Sequence, residues 1–591
     1  MSGLRGGIRQ RLEGATEGGS SSSAQPVEAN GIRKRLRREG GASEASSFTP
    51  FTSAIKRDWG RGKLQANTAQ EYATKAAAQG ARDLGKIAKT SDTRHAHRDL
   101  ARAIGWPSQY PHMDWIDIPT PDGPLTPHPI ICPIKVFERM LQDIHKFNRI
   151  LRGDDGDIKK FWRGMRNTKI FDGVKDSLDF TRSIPLGVHG DKAACTKTQS
   201  LMTIAWTSLL GTGSTKDTHQ VFTVIRAADM VEGTLSAIWD RFAWSMNALS
   251  DGVIPPLDFR GNPHPEAGRI IAKGWKASLI HVRADWEFAA HPETVNQPAW
   301  NAEPNMCFFC NASNSVPGLR WSDFSAEAGW RSTRRSHESY KAMLAHEGKP
   351  LPPLFKVKTL RMEGVQVDVL HAVDQGLASH CVANVFIEVM RDSLVGTNWH
   401  EKLRDLQDKL KAHGKTSGHK IDGELTFERI KTKGEWPKLK AKAANTRHIS
   451  RFALRLCQEF NSGSAHDMRR LGVMQQLVRF YDIVETEGRF LTETARSELP
   501  VIAESLLTMY GALSREALAS RVRCWKMTQK FHMFQHCCDR PILNPRVGWT
   551  YADEDLQNLI KHVGMSCHPR RLAERVFHKW FVFLSEAERE A

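Results

Sequence analysis

The sequence predicts a mixed α/β unit joined to a large all-helical part. Short apolar runs that end in Gly or polar turns, as buried strands do, occur between residues 184 and 284. Three such runs, a helical segment and a fourth run together predict a mixed sheet. Strand character is lost after residue 290, and apolar residues then recur at helical spacing in six segments: 376–396, 400–412, 447–460, 466–488, 494–527 and 551–580.

The composition favours a polyanionic partner. Lys and Arg number 84 against 66 Asp and Glu, a formal net charge of +18 in 591 residues. Such an excess suits nucleic acid, because each neutralised phosphate releases condensed counterions. Ten cysteines, of which few are closely spaced, do not form a secreted disulfide framework. No apolar run approaches the roughly 18 residues of a membrane span, and the chain start lacks an apolar signal region, so we expect neither membrane insertion nor secretion.

Residues 1–66 are rich in Gly, Ser, Ala and Arg and are predicted to be a disordered basic tail. A basic cluster within this tail is typical of nuclear import or of a phosphate-binding arm, and a solvated charge run is the alternative. We therefore expect a nuclear protein. The cluster comprises Arg33, Lys34, Arg35, Arg37 and Arg38.

Residues 67–175 are predicted to be a helical N-terminal region. An Ala-rich stretch at 68–90 is followed by a Pro-rich connector at 107–133. The run 136–147 then places Val136 and Phe147 on the apolar face of an amphipathic helix.

Residues 176–290 are predicted to be the α/β core, and two Asp residues follow its strands. The predicted strands are 184–190, 201–210, 219–226 and 278–284, with a helix at 230–249. Asp191 directly follows the first strand and Asp285 the fourth. Carboxylates at the ends of neighbouring strands can meet and bind Mg²⁺, which prefers such ligands. The alternative is two unrelated surface Asp residues.

Cys307 and Cys310 have the two-residue spacing of half a zinc site. His532 and His536 are a plausible second half, because a spacing of four puts both imidazoles on one face of a helix. Cys537 or Cys538 could complete the site instead, and buried thiols with structural histidines are the alternative without metal. A shared zinc would join a zinc-associated helical insertion, 291–530, to a C-terminal helical part, 531–591.

Two further motifs contain carboxylates at helix starts. Asp368 and His371 lie three apart, so they can hydrogen-bond each other or position a phosphate or water; helix capping is the alternative. Asp553, Glu554 and Asp555 open a predicted helix, where the helix dipole alone favours acids. A third carboxylate from this group would complete a two-metal site for phosphoryl transfer.

The order of these motifs resembles the cut-and-paste DNA transposases of the CACTA group, over about residues 180–580. In that family a DDE triad lies on a ribonuclease-H-like fold, with a helical insertion before the glutamate. The layout is also similar to the catalytic subunit of the V(D)J recombinase, where a Cys pair and a His pair share zinc. No family-style DNA-binding module is evident upstream, so a domesticated or degenerate copy is included in this expectation.

The resemblance implies a ribonuclease-H-like mixed sheet with a helical insertion and a helical C-terminal region. It implies that Asp191, Asp285 and Glu554 hold two Mg²⁺ or Mn²⁺ ions for DNA strand nicking and strand transfer. Asp368 and His371 would support the active site, and a structural Zn²⁺ would bind Cys307, Cys310, His532 and His536.

The implied partner is double-stranded DNA, with a homodimer as a further expectation. Basic residues of 402–451, together with Arg331, Arg334 and Arg335, would contact the DNA backbone without reading sequence. A catalytically inactive, transposon-derived nucleic-acid-binding protein is the alternative function. In a third hypothesis, an unrelated α/β protein, every motif is incidental.

Overall fold

A computed structural model describes residues 50–590, apart from 82–83, 90–94, 124, 196–198, 300, 419–422, 432–435 and 540–542. The basic cluster at 33–38 lies outside the described residues. One continuous hydrophobic core extends from a hairpin near residue 116 to the last helix, and a small satellite core covers the first four helices.

The satellite core is built by α1 (Pro50–Gly60), α2 (Ala66–Ala78), α3 (Gly85–Ala88) and α4 (Ala96–Ile104). Ile55 and Trp59, four residues apart on α1, are buried in this cluster together with Val582 near the C-terminus. The prediction of a disordered tail to residue 66 is therefore wrong for residues 50–60. The prediction relied on the Gly- and Ser-rich composition of the tail. It overlooked Ile55 and Trp59, which lie on one helix face and pack in the satellite core.

The Pro-rich connector contains an antiparallel hairpin that was not predicted, β1 (Asp114–Ile118) and β2 (Thr126–Ile130). The predicted helix at 136–147 is divided in two. Helix α5 (Pro133–Met140) is followed by α6 (Ile144–Phe147), which Asp143 caps by accepting from Lys146 N at 3.0 Å. A π-helical turn and α7 (Asp157–Met165) lead into the main sheet.

The main sheet has four strands, β3 (Ser183–Ala194), β4 (Ser200–Ser208), β5 (His219–Arg226) and β6 (Lys276–Ala284), in the order β5-β4-β3-β6. The first three strands are antiparallel neighbours, with α8 (Thr215–Thr218) before β5, and β6 is parallel to β3. Helix α9 (Thr234–Asp251) connects β5 to β6 and packs on β6. The predicted mixed α/β sheet is confirmed.

The rest of the chain is mostly helical, as predicted. Short helices α10 (Trp286–Ala290) and α11 (His337–His346) precede a π-helix, Leu370–Leu377, which continues into α12 (Ala378–Asp392). The predicted helix at 551–580 is two helices with a turn between them. The remaining helices are α13 (Trp399–Ser417), α14 (Phe427–Ile430), α15 (Ala443–Glu459), α16 (Ala465–Thr486), α17 (Glu493–Ala519), α18 (Gln529–Asp539), α19 (Tyr551–Met565) and α20 (Leu572–Glu590).

Candidate metal centres

Asp191 and Asp285 occupy neighbouring positions on two adjacent parallel strands. The β3–β6 ladder ends with Gly190 opposite Ala284, and the two Asp residues come next on each chain. Adjacent strands lie about 4.8 Å apart, so these residues are side by side. Asp285 directly follows β6 and caps α10 by accepting from Phe288 N at 2.8 Å. Asp191 lies within β3, opposite Thr203, because pairing with β4 extends the strand past the predicted end at residue 190.

Gly190 allows α10 to approach the sheet beside these two residues. A Cβ at this position would lie 2.0 Å from the Phe288 ring, far inside van der Waals contact. Any side chain here would therefore push Phe288 and α10 away from β3. The capping of α10 by Asp285 and the close approach at Gly190 together fix the Asp285 backbone beside Asp191.

Helix α19 brings Glu554 to the same place. Gln557 Nε2 donates to the backbone carbonyls of Asp191 at 2.9 Å and Leu201 at 3.3 Å, which fastens the helix to β3 and β4. Glu554 lies three residues earlier and thus on the same helix face as Gln557. Its carboxylate is about one-third exposed and lies 3.8 Å from Nε2 of His371.

The three consecutive acids of α19 have different environments. Asp553 is buried, and Arg283 donates to both of its carboxylate oxygens at 2.9 Å, with His219 Nε2 at 3.3 Å. Asp555 is exposed. Burial alone would raise the pKa of Asp553, but Arg283 and the nearby histidines outweigh it and hold the pKa well below its ordinary value. Of the three, Glu554 is the one beside Asp191.

The candidate carboxylates are electrostatically coupled. Burial raises the pKa of Asp285, and the charge of Asp191 raises it further, against the opposing hydrogen bond from Phe288 N. Burial, followed by the charge of Asp191, raises the pKa of Glu554 to about 7, with His371 opposing. The three carboxylates are thus close enough for their charges to interact. Among the described residues, however, the group whose ligand atoms all lie within 4.8 Å of one another is the Cys₂His₂ cluster described below, and the three acids do not form such a group.

Asp368 and His371 connect the π-helix to the start of α19. Asp368 Oδ1 accepts from Leu370 N at 2.9 Å and from the Thr550 hydroxyl at 3.0 Å, while Oδ2 is hydrogen-bonded to His371 Nδ1. Burial lowers the pKa of His371, but Asp368 and then Glu554 raise it, and the net shift is upward. The imidazole therefore lies between two acids, with Nδ1 on Asp368 and Nε2 facing Glu554.

Asp374 is a buried residue of this region that motif spacing did not indicate. It is fully buried in the π-helix and accepts from the hydroxyls of Tyr481 and Tyr551, each at 2.6 Å. Burial raises its pKa to about 6, although both hydroxyls oppose the shift. Because Tyr551 is the first residue of α19, Asp374 holds the helix that carries Glu554 against α16.

Cys307, Cys310, His532 and His536 form a buried Cys₂His₂ cluster that could hold a metal such as zinc. Sulfur to Nε2 distances are 3.4 Å for Cys307–His536, 3.3 Å for Cys310–His532 and 3.4 Å for Cys310–His536. Bonds of 2.3 Å to sulfur and about 2.0 Å to nitrogen in a tetrahedron place such atoms roughly 3.5 Å apart. The side chains present thus fit zinc, and Cys537 and Cys538 are not members of the cluster.

The surroundings of the cluster also suit a metal. His532 Nδ1 lies 3.1 Å from the carbonyl of Trp321, which accepts a hydrogen bond from Nδ1–H and so leaves Nε2 free to bind a metal. The backbone N–H groups of Phe309 and Ala312 donate to the two sulfurs, at 3.3 and 3.4 Å. Buried Arg335 donates to the carbonyls of Cys307 and Phe308.

The three arginines proposed for DNA contact are not equivalent. Arg335 holds the Cys307–Cys310 turn from a buried position, so it is removed from the candidate DNA-contacting residues. Arg331 and Arg334 both pair with Asp539 at the end of α18. The Arg331 side chain is only 17% exposed, whereas that of Arg334 is 35% exposed, so Arg334 is the more accessible of the two.

No protein-family model matches this chain, and no curated protein is significantly similar to it. Within the described residues, no helix combines the length and apolarity that a membrane crossing requires.

Proposed function

We propose that this chain is a DNA phosphoryl-transfer protein of the DDE transposase type, with a ribonuclease-H-like core. Asp191, Asp285 and Glu554 are the proposed ligands of two Mg²⁺ or Mn²⁺ ions. The observation that supports the proposal is that Asp191 and Asp285 follow paired residues of β3 and β6, while Gln557 fastens the helix that carries Glu554 to the backbone of Asp191.

The electrostatics of the trio support the metal. Burial raises the pKa values of Asp285 and Glu554, and the charge of Asp191 raises both further, so a bound cation would relieve the cost of ionising these acids. Bound divalent ions would supply charge neutralisation and activation of a water or a DNA 3′-hydroxyl. Asp368 orients His371, and His371 in turn faces Glu554 and accepts or returns its proton.

The Cys₂His₂ cluster supports the position of Glu554. It fastens α18 to the 307–310 turn, and α19 begins 12 residues after the end of α18 at Asp539. Bound zinc would therefore limit the movement of α19 relative to the sheet. Cluster and trio together match the order of elements in the CACTA-type enzymes.

Double-stranded DNA and a nuclear location belong to the same proposal. The net charge of +18 favours a polyanionic partner, and partly exposed Arg334 with the basic residues of 402–451 would contact phosphates.

Nicking of supercoiled plasmid DNA tests the proposal. Purified full-length protein is expected to convert the plasmid to open circles with Mg²⁺ or Mn²⁺, and Asp285→Asn and Glu554→Gln are expected to lose this activity. Exposed Asp555→Asn is the matched control and retains it. DNA binding without nicking by the wild-type protein would instead support the alternative of a catalytically inactive nucleic-acid-binding protein. Equal nicking by all variants would overturn the assignment of the trio.

A further inference from the structure

An open cavity of about 540 Å³ lies away from both metal centres and is lined by basic and imidazole side chains. Its lining comes from the starts of α2 and α4, from the 566–571 turn between α19 and α20, and from Arg575 in the first turn of α20. No Asp or Glu of the described chain lines it. The charged and titratable lining residues are His95, His97, Arg98, His568, Arg571 and Arg575.

The positive charge in the cavity is only partly neutralised. Arg98 pairs with neighbouring Asp99, and Arg571 pairs with Glu574. Arg575 has no ion pair within the described part of the chain. Burial, followed by the charge of Arg571, lowers its pKa, with Cys567 and Glu574 opposing. An anion in the cavity would compensate this charge.

Backbone donors face the same space. Gln65, Ala66 and Asn67 at the start of α2 line the cavity, as do residues 95–98 at the start of α4. Neither helix has a side-chain cap among the described residues, so its first N–H groups lack that acceptor. Amide donors at helix starts and guanidinium groups are what a phosphate requires.

Helix α19 connects the cavity to the carboxylate trio. Ser566, which lines the cavity, follows Glu554 by 12 residues on the same helix and its C-cap. At 1.5 Å per residue this is a separation of about 18 Å along the helix axis. A nucleic acid with one phosphodiester at the trio could therefore reach the cavity with a phosphate a few nucleotides away.

We propose that this cavity binds a phosphate group, and that the group belongs to the backbone of the nucleic acid acted on at the carboxylate trio. The source of the phosphate rests on the proposed function, whereas phosphate binding itself does not. The cavity then acts as a positioning site that sets how the strand lies relative to Glu554.

Two binding measurements on the full-length chain test this proposal without relying on nicking. The first compares thermal unfolding in phosphate and in chloride at equal ionic strength. The second measures DNA affinity by fluorescence anisotropy at several salt concentrations, without added divalent metal. The variants are Arg571→Ala/Arg575→Ala, the charge-preserving Arg571→Lys/Arg575→Lys, and Arg570→Ala, an exposed arginine outside the cavity.

The Ala double variant is expected to lose the stabilisation by phosphate and about tenfold in DNA affinity. Its slope of log affinity against log salt should fall by about two, one for each lost contact. The Lys double variant should recover most of the DNA affinity. Its unfolding temperature in chloride serves as the folding reference for the Ala double variant. Arg570→Ala should resemble wild type. Loss of the phosphate effect with unchanged DNA affinity would assign the cavity to free phosphate and overturn the nucleic-acid part.

Equal behaviour of the Ala double variant and Arg570→Ala in both measurements would overturn the proposal entirely. Asp285→Asn separates the two proposals, because it should keep the stabilisation by phosphate while failing to nick. If the wild-type protein does not nick DNA, the binding measurements still test the cavity. If the cavity does not bind phosphate, the nicking assay still tests the carboxylate trio.

Discussion

Gln557 donates a 2.9 Å hydrogen bond to the backbone carbonyl of Asp191, a residue 366 positions earlier in the chain. The same amide reaches Leu201 on the neighbouring strand, so one buried side chain fastens α19 across β3 and β4. This contact explains why Glu554, one helical turn away, lies beside Asp191. Asp553, Glu554 and Asp555 consequently have different environments, and substitution of each one should have a different effect.

Replacement of Asp553 by Asn is expected to destabilise the fold severely. The substitution leaves Arg283 buried without its carboxylate, a change that typically costs about 3–5 kcal/mol of unfolding free energy. Asp555→Asn, at an exposed neighbouring position, should change stability by less than about 0.5 kcal/mol. Urea unfolding measures both. Similar values for the two variants would contradict a buried Arg283–Asp553 pair.

Glu554 is expected to make the stability of the metal-free protein depend on pH. Its pKa is raised from 4.5 to about 7 in the folded chain, so the folded state binds more protons than the unfolded state between these values. Stability should therefore fall as pH rises from about 4.5 to 7, and this contribution should level off above that range. Glu554→Gln removes it. Urea midpoints at pH 5, 6, 7 and 8 test this, and identical pH profiles for wild type and variant would contradict it.

Added Mg²⁺ should reverse this loss. Above the pKa of Glu554, a cation bound at this carboxylate no longer competes with a proton, so it stabilises the folded state by mass action. The gain is expected to be larger at pH 8 than at pH 6 and to be absent in Asp285→Asn. Thermal unfolding with and without Mg²⁺ measures it.

Zinc removal is expected to loosen the contact between α18 and the 307–310 turn. Cys307→Ser or His536→Ala should abolish zinc binding at the Cys₂His₂ cluster and lower the unfolding temperature. Cys537→Ser replaces a buried thiol on the same helix and should retain zinc. Elemental analysis of the purified proteins counts the metal. Zinc lost from Cys537→Ser but kept by His536→Ala would show that a different ligand set is used.

His371 is expected to act as a positioning residue for Glu554. His371→Ala removes the imidazole between Asp368 and Glu554, and the Mg²⁺ concentration for half-maximal nicking should rise about tenfold. The unfolding temperature should change little, because His371 is partly exposed. A variant with unchanged Mg²⁺ dependence, or one that is simply unfolded, would contradict this role.

Strong local periodicity made much of the fold predictable. Strand β5 has the bounds predicted for it, 219–226, because apolar residues flanked by turn-forming Ser, Thr and Gly leave little choice. Each segment predicted to be helical after residue 290 contains a helix, although the one predicted at 494–527 ends at Ala519 and the one at 551–580 is two helices. Cys307, Cys310, His532 and His536 do converge. The short spacings within the Cys pair and within the His pair are those that let two side chains bind one metal, so they can be recognised in the sequence.

Features that depend on distant partners were not predictable. Arg283 lies in an apolar stretch that predicts a strand. No neighbouring residue in the sequence indicates that Asp553 is its partner. The β1–β2 hairpin was missed because Pro127 and Pro129 argue against a strand, although β2 tolerates them. Asp191 lies inside β3, although Gly190 predicted the strand end just before it. Pairing with β4 extends the strand past Gly190 to Ala194.

Counting Mn²⁺ bound to the metal-free, full-length protein by electron paramagnetic resonance tests the central claim most directly. At pH 8 we expect two Mn²⁺ per chain beyond the Cys₂His₂ site, with both lost or greatly weakened in Asp191→Asn and Asp285→Asn and retained in Asp555→Asn. Absence of Mn²⁺ binding, or binding that these Asp substitutions leave unchanged, would contradict a divalent-metal site at Asp191, Asp285 and Glu554.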